Sequence, residues 1–219
     1  MTISSELSKS SNLRLAILIL AAGEGSRLGG YPKALLKKDG DSLLKHFIQS
    51  SQALEPLETL IITGFYAEQI EAEINLIKRE FKSPISREKN LHPELGQASS
   101  VRLGLESLKS DYDVLLIALC DQPEIGAQEI ESLLQQYNHR DSHQEIVLPM
   151  VSGQRGNPVL FSKRVIEKIL AIPDMVCRPY MDQYPELVKI FVSDNQAFVM
   201  DVDTQGDIEK LGLDKIQSY

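Results

Sequence analysis

Apolar and polar positions fall into blocks whose period changes along the chain. Residues 15–22 read LAILILAA, a continuous apolar run too short to cross a bilayer and suited to a strand buried on both faces, with the strand spanning about 13–21. Residues 113–120, DVLLIALC, repeat that pattern and predict a central parallel strand. Between the two, Leu43, Leu44, Phe47, Ile48 and Leu54 form one stripe at helical spacing over 42–54, with Ser42 or Asp41 placed to cap it. A strand over 57–63 precedes a helix over 66–80 whose apolar seam is Ile70, Ile74 and Ile77. A short strand near 84–86 and a helix over 97–108, through Val101, Leu105 and Leu108, complete this half. Farther on, the pattern predicts a helix over 126–137, strands over 145–150 and 157–161, and a helix over 163–171. Residues 173–186 are interrupted by prolines and carry no clear period. Strands are expected over 187–193 and 198–202, then a final helix capped by Thr204.

Residues 1–12 are serine-rich without periodic apolar positions, so a disordered tail is expected, followed by a single domain over 13–219. Strand–helix alternation through the first 150 residues predicts a three-layer α/β fold, a mostly parallel sheet flanked by helices with right-handed crossovers. The later strands suggest a small antiparallel portion. In such sheets, ligands bind outside the carboxyl ends of the strands.

The chemistry begins where the first strand ends. Gly23, Gly25, Gly29 and Gly30 follow it among small, charged and turn-forming neighbours, and Arg27 and Lys33 add fixed positive charge. A strand running into a glycine loop can aim several backbone N–H groups at one anion, so this stretch reads as a site for nucleotide phosphates. It is neither of the two commonest phosphate loops. Tyr31 and Pro32 stand where a P-loop needs Lys and Ser/Thr, and Leu28 replaces the third glycine of a dinucleotide fingerprint.

Composition narrows the partners. Of the 219 residues, 42% are hydrophobic and 25% charged, as in ordinary globular chains. The net charge of −8 argues against nucleic-acid binding and requires local cations or a metal ion to hold an anionic substrate. No segment suits a membrane span. Cys120 and Cys177 make no disulfide framework or CxxC pair, as expected of a cytoplasmic chain. His46, His92, His139 and His143 show neither metal-ligand spacing nor a nucleophile partner.

Two carboxylate positions complete the picture. Asp121 directly follows the second apolar run, on a rigid support facing the same crevice as the glycine loop, which suits Mg²⁺ as well as a simple turn ahead of Pro123. Asp201 and Asp203 are two apart on the expected strand 198–202 and so would face one site together.

The stretch LAAGEGSRLGGYPK, residues 20–33, closely resembles the signature L-A-A/G-G-x-x-x-R-M/L-G-x-x-K of nucleotidyltransferases with a glycosyltransferase-A-like fold. Within that superfamily the best match is to the molybdenum cofactor nucleotidyltransferases, which transfer CMP or GMP from the triphosphate to molybdopterin. The resemblance implies a Rossmann-like, nucleotide-diphospho-sugar transferase fold. It assigns Leu20, Ala21, Ala22, Gly23, Gly25, Arg27 and Lys33 to the nucleotide, with Arg27, Lys33 and Asp121 acting in catalysis. It makes Asp121, in CDQP, and Asp203, in DVDT, the ligands of Mg²⁺, with Asp201 as a further candidate. The segment from Gly96 to Val101 resembles the family's base-contacting G-x-x-x-S segment, which assigns Ser99 and Ser100, with Asn90 upstream, to the nucleotide. QRGNPVLF, residues 154–161, resembles the acceptor segment and assigns Asn157 and Pro158 to the acceptor. Cytidylyltransferases usually carry His at the position of Asn157, and TQGD stands here for the family's TPED. Ala22 places a methyl where guanylyl-transferring relatives have glycine, which favours CTP over GTP. The implied partners are the triphosphate, molybdopterin or molybdenum cofactor, and a molybdoenzyme or its chaperone. Another transferase of this fold acting on a sugar phosphate or alcohol phosphate, a non-catalytic nucleotide-binding regulator, and a nicotinamide-dependent dehydrogenase are the competing readings. The missing third glycine counts against the last.

Overall fold

The computed structural model describes residues 13–81 and 84–215; the expected tail over 1–12 lies outside the described residues. Strand β1 (Leu15–Ala21) is buried along its whole length. It has parallel partners on both sides, β4 (Glu58–Thr63) and β6 (Val114–Leu119), with Leu20 opposite Ile62 on one side and Leu119 on the other. That double burial is why its sequence shows no alternation.

Period-two geometry sorts its residues between two layers. Leu15, Ile17, Ile19 and Ala21 join one core cluster with α1 (Leu43–Ser51), α2 (Ala67–Glu80) and α4 (Ala127–Asn138). Ala16, Leu18 and Leu20 join the other with α3 (Gln97–Ser107), α5 (Lys163–Leu170) and α6 (Cys177–Gln183). The result is the expected three-layer α/β arrangement.

The sheet runs β10–β7–β9–β6–β1–β4–β5, with β8 paired to β7. Here β5 is Ile85–Lys89, β7 Ile146–Val151, β8 Gln154–Arg155, β9 Val159–Ser162 and β10 Val188–Val192. A two-residue pair, β2 (Lys37–Lys38) and β3 (Asp41–Ser42), stands apart. The antiparallel portion comprises β9, between β6 and β7, and β8; β10 is parallel to β7. From β1 the chain proceeds outward to β4 and β5, then returns to add β6 on the opposite side. The carboxyl ends of β1 and β6 therefore flank the point where strand order reverses, the place where such sheets bind ligands.

Caps follow the sequence. The Ser42 hydroxyl accepts from the Lys45 amide and starts α1; Thr204 starts α7 (Gln205–Lys210) in a reciprocal capping box with Asp207. The aspartate of TQGD thus serves the same helix start that the motif marks.

Three expectations change. β5 extends to Lys89, beyond 84–86. Residues 177–183, within the unassigned segment, form α6, because Pro179 falls in its first turn, where a missing N–H costs nothing. The strand expected over 198–202 is a 3₁₀ turn at Gln196–Val199 followed by unpaired chain. Ala197 and Phe198 are consecutive and both buried, which a strand with one solvent face cannot provide. Among the described residues, no helix is long and apolar enough to cross a membrane.

Candidate active site

The loop after β1 is built by its own backbone. Gly25, at φ 63°, opens a 3₁₀ turn at Ser26–Leu28, and its carbonyl accepts from the amides of Leu28 (2.9 Å) and Gly30 (3.1 Å). Pro32 then leads into a second 3₁₀ turn, Lys33–Leu35. Leu28 and Leu36 root this loop in a small separate core with Leu43, Val202, Ile208 and Leu213. The chain's last described segment secures it again: Lys37 and Asp214 exchange backbone hydrogen bonds, and the Lys215 ammonium donates to the Leu28 carbonyl at 3.0 Å. Tyr66, just past β4, donates its hydroxyl to the Glu24 carbonyl at 2.9 Å.

A cavity of about 310 Å³ opens beside the loop, of a size suited to a small ligand. Leu20, Ala21, Ala22, Gly23, Gly25, Lys33, Ser100 and Asp121, all singled out from sequence, line it. Gly96 and Gln97, from the segment resembling the base-contacting motif, also line it, as do Phe65 and Pro93, which no motif marked. Their common signal is position: each follows closely on the carboxyl end of a strand on the β4–β5 side.

At one end of the cavity the charges converge. The Lys33 ammonium donates to Asp121 Oδ2 at 2.8 Å and to Asp203 Oδ1 at 2.7 Å, and Arg27 pairs with the other Asp203 oxygen. These residues come from three distant parts of the chain. Asp121 is carried by the end of β6, and the Val202 amide bonds the Asp121 carbonyl at 3.0 Å, which brings Asp203 alongside. Asp203 therefore arrives by that contact rather than through a paired strand.

Burial alone would lower the Lys33 pKa, but the charge of Asp121 and hydrogen bonds to Asp121 and Asp203 reverse this and hold it above the ordinary lysine value. Lys33, followed by Arg27, holds the Asp203 carboxyl below its ordinary value. Asp201 shifts the other way: desolvation, then the like charges of Asp121 and Asp203, raise it, although the residue stays open to solvent.

The depressed Asp203 value has a pH consequence. A carboxyl whose folded pKa lies below its unfolded one contributes stability above the usual value of 3.8 and loses it as pH falls through the folded value. Thermal melting of wild type and Asp203→Asn should differ most at neutral pH and converge in acid below that value. A difference that grows in acid would contradict the pairing.

Other candidates sit farther out. Asn90 is 6% exposed; its amide nitrogen donates to the hydroxyls of Ser99 (2.8 Å) and Ser100 (2.9 Å), and its oxygen accepts from the His92 amide. It lines no part of the cavity, so its place is behind the serines, where it orders the start of α3. Ser99 bonds the Gly96 carbonyl and likewise stands outside the lining. Asn157 and Pro158, joined by a cis peptide, precede β9; the Asn157 amide bonds the Phe198 carbonyl, which also accepts from Gln122 beside Asp121.

The donor set suits a hard divalent cation. Asp121 Oδ1 is buried and has no hydrogen-bond partner, an unsatisfied anionic lone-pair site beside Asp203. Two carboxylates, completed by phosphate oxygens and water, make a typical Mg²⁺ environment. Among the described residues no group of three or more His, Cys, Asp or Glu side chains forms a metal cage.

A mixed, mostly parallel sheet with a glycine loop at its switch point and a carboxylate just past the adjoining strand end defines a Rossmann-like nucleotidyltransferase fold. Residues 17–186 match the model of the MobA-like NTP transferase domain, and the chain belongs to that family. The Bifunctional protein GlmU of Streptomyces avermitilis is 31% identical over 120 residues, covering 54% of this chain and 24% of its own length. That of Trichormus variabilis is 27% identical over 172 residues, covering 77% of this chain and 36% of its own. The chain thus spans about a quarter to a third of the length of these curated relatives. Among solved structures, Rv0371c from Mycobacterium tuberculosis H37Rv superposes with a TM-score of 0.70 at 20% identity, covering 91% of this chain and 97% of that one. Its manganese complex superposes at 0.64 with 18% identity, covering 90% and 97%. The 4-diphosphocytidyl-2C-methyl-D-erythritol synthase of Anaerococcus prevotii gives 0.69 at 15% identity, covering 91% and 94%. The inositol-1-phosphate CTP transferase of T. maritima gives 0.62 at 16%, also covering 91% and 94%.

Proposed function

We propose that the chain moves a nucleoside monophosphate, CMP in preference to GMP, from its triphosphate to the phosphate of an acceptor, releasing pyrophosphate. The observation that carries this reading is the convergence on the Lys33 ammonium of Asp121, which with Lys33 lines the glycine-loop cavity, and of Asp203 just outside the lining. An acceptor phosphate oxygen attacks the α-phosphorus in line, forming one P–O bond as the bond to the β-phosphate bridge breaks; the electron pair leaves with pyrophosphate. A phosphate monoester has a second pKa of about 6, so it is largely dianionic at neutral pH and needs no general base. The site accordingly relies on positioning and electrostatics.

In this reading Arg27, Lys33 and the loop backbone hold the β- and γ-phosphates. Gly23 and Gly25 let the chain approach them closely. Ser100 and Gln97, at the start of α3, face the base and ribose, with Asn90 and Ser99 fixing that helix end. Asp121 and Asp203 hold Mg²⁺; the manganese complex of the Rv0371c neighbour supports a divalent ion here. When bound, the ion would neutralise charge at the α-phosphate.

The acceptor has two readings. The motif resemblance favours molybdopterin, with a molybdoenzyme or its chaperone as a downstream partner. The relatives named for CTP transfer to inositol 1-phosphate and for a diphosphocytidyl alcohol favour a sugar or alcohol phosphate equally well. The test is incubation with CTP or GTP and each acceptor class: molybdenum-loaded molybdopterin, sugar 1-phosphates and alcohol phosphates. Pyrophosphate release and product mass are read out. CTP is expected to bind tighter than GTP, because the Ala22 methyl narrows the base side. Tighter GTP binding overturns the base assignment, and no pyrophosphate with any acceptor overturns the reaction.

A further inference from the structure

The Lys33 ammonium stands where the proposed function needs a metal ion. We propose that Lys33 is a placeholder cation, holding Asp121 and Asp203 together in the nucleotide-free protein and yielding them to a divalent ion only when a triphosphate draws its ammonium into the cavity. The inference rests on the metal role given to these carboxylates above and adds an order to the binding events.

Three observations support it. One nitrogen bonds an oxygen of each carboxylate, at 2.8 and 2.7 Å, so it fills the space between the two anions. An ion bound at Mg²⁺ distances to both, about 2.1 Å, would lie against that ammonium, and like charges at such range repel strongly in a site this sheltered from water. Lys33 and Asp121 side chains are only 19% and 16% exposed. The second observation is Asp121 Oδ1, which remains without a partner while Lys33 is in place, so the lysine satisfies this carboxylate incompletely. The third is reach. Lys33 itself lines the cavity, and its flexible four-carbon stem can turn the ammonium from the carboxylates to a phosphate without moving the backbone.

Charge matching gives the sequence of events. Asp121 and Asp203 are paired with Lys33 and Arg27 as the protein stands, and Asp201 lies near enough to add a third negative charge. A divalent ion alone would put excess positive charge there. A triphosphate alone would add negative charge and attract both basic side chains. Bound together, the ion's positive charge offsets about half of the triphosphate's negative charge, so each lowers the cost of the other. Metal and nucleotide then bind as a linked pair, each raising affinity for the other by the same factor.

The test is Mn²⁺ binding without nucleotide, followed by the paramagnetic signal of free Mn²⁺, in wild type, Lys33→Met, Lys33→Gln and the double variant Lys33→Met with Asp121→Asn. Met removes charge and hydrogen bonds; Gln removes the charge and, one atom shorter, keeps an amide that can donate. Both single variants should bind Mn²⁺ at least tenfold more tightly than wild type, and Asp121→Asn should remove the gain. Mn²⁺ should also raise the melting temperature of the single variants more than that of wild type, since ligand binding stabilises the folded state. If Lys33→Met fails to fold, Lys33→Gln carries the comparison. Equal affinity in wild type and variants, lost with Asp121→Asn, overturns the placeholder and leaves the metal site standing. Affinity that Asp121→Asn does not touch, or no binding in any form, overturns the metal assignment and the placeholder with it.

Discussion

Asp121→Asn should lower pyrophosphate release by about 10³-fold or more while the protein melts within a few degrees of wild type. The substitution keeps volume and shape and removes one negative charge. Asp121 follows the buried strand β6, so the amide is held where the carboxylate was. Lys33 keeps Asp203 as a partner, and β6 keeps its pairings with β1 and β9. Little of the fold depends on this side chain. The proposed reaction, by contrast, needs a carboxylate at this spot: Oδ1 is buried and has no hydrogen-bond partner, which leaves a lone pair for a cation. Every 1.36 kcal/mol of lost transition-state stabilisation is a factor of ten, so losing about 4 kcal/mol of metal-assisted stabilisation gives the stated drop. Stopped-time pyrophosphate assays with CTP, alongside thermal melting, check it. Activity within tenfold of wild type would remove Asp121 from the chemistry.

The two strands that carry this site were legible because they are buried on both faces. LAILILAA and the VLLIAL of the second run have no polar position to blur the pattern, and each is followed abruptly by residues that a buried strand cannot contain. The seams of α1 and α2 and the caps at Ser42 and Thr204 were legible for similar local reasons. β5 was read too short because it is an edge strand whose outer half, Arg87–Glu88–Lys89, is polar, as suits an edge guarded against further pairing. Residues 198–202 misled because FVMDV has strand composition, yet Phe198 is needed as a core plug beside Ala197. Within the site, Asp121 announced itself as a charge at a strand end and Lys33 as one in the glycine loop. Phe65 and Pro93 did not, because their meeting with the glycine loop depends on β4 lying next to β1, and strand order is a property of the whole sheet. Asn90 stands outside the lining, where its amide holds Ser99 and the lining residue Ser100.

Gly25→Ala should weaken CTP binding about 100-fold and lower the melting temperature by several degrees, with the sheet intact by far-ultraviolet circular dichroism. A methyl at this position would stand 2.1 Å from the Tyr31 carbonyl oxygen, and the backbone there is left-handed, at φ 63°. The conformation costs a non-glycine residue about 1–2 kcal/mol. The contact is worse, because its partner is main chain and no side-chain rotation relieves it. If Gly25 shifts to escape, its carbonyl loses the amides of Leu28 and Gly30, at about 1 kcal/mol each. The total, about 3 kcal/mol, corresponds to the expected hundredfold if the loop must be re-formed to hold phosphates. The damage stays local, since the stretch around Gly25 enters the small core of Leu28, Leu36 and Val202, and the loop joins a large cluster only farther on, at Ala34 and Leu35. Gly29→Ala separates the causes: Gly29 has φ 75°, but a methyl there meets nothing within 4 Å, so it carries conformational strain without the collision. Its effect on CTP affinity, read by calorimetric titration, should be under tenfold. Equal losses in the two variants would assign the effect to backbone strain alone. A Gly25→Ala protein that binds CTP as wild type does would show that this loop is not where the triphosphate is held.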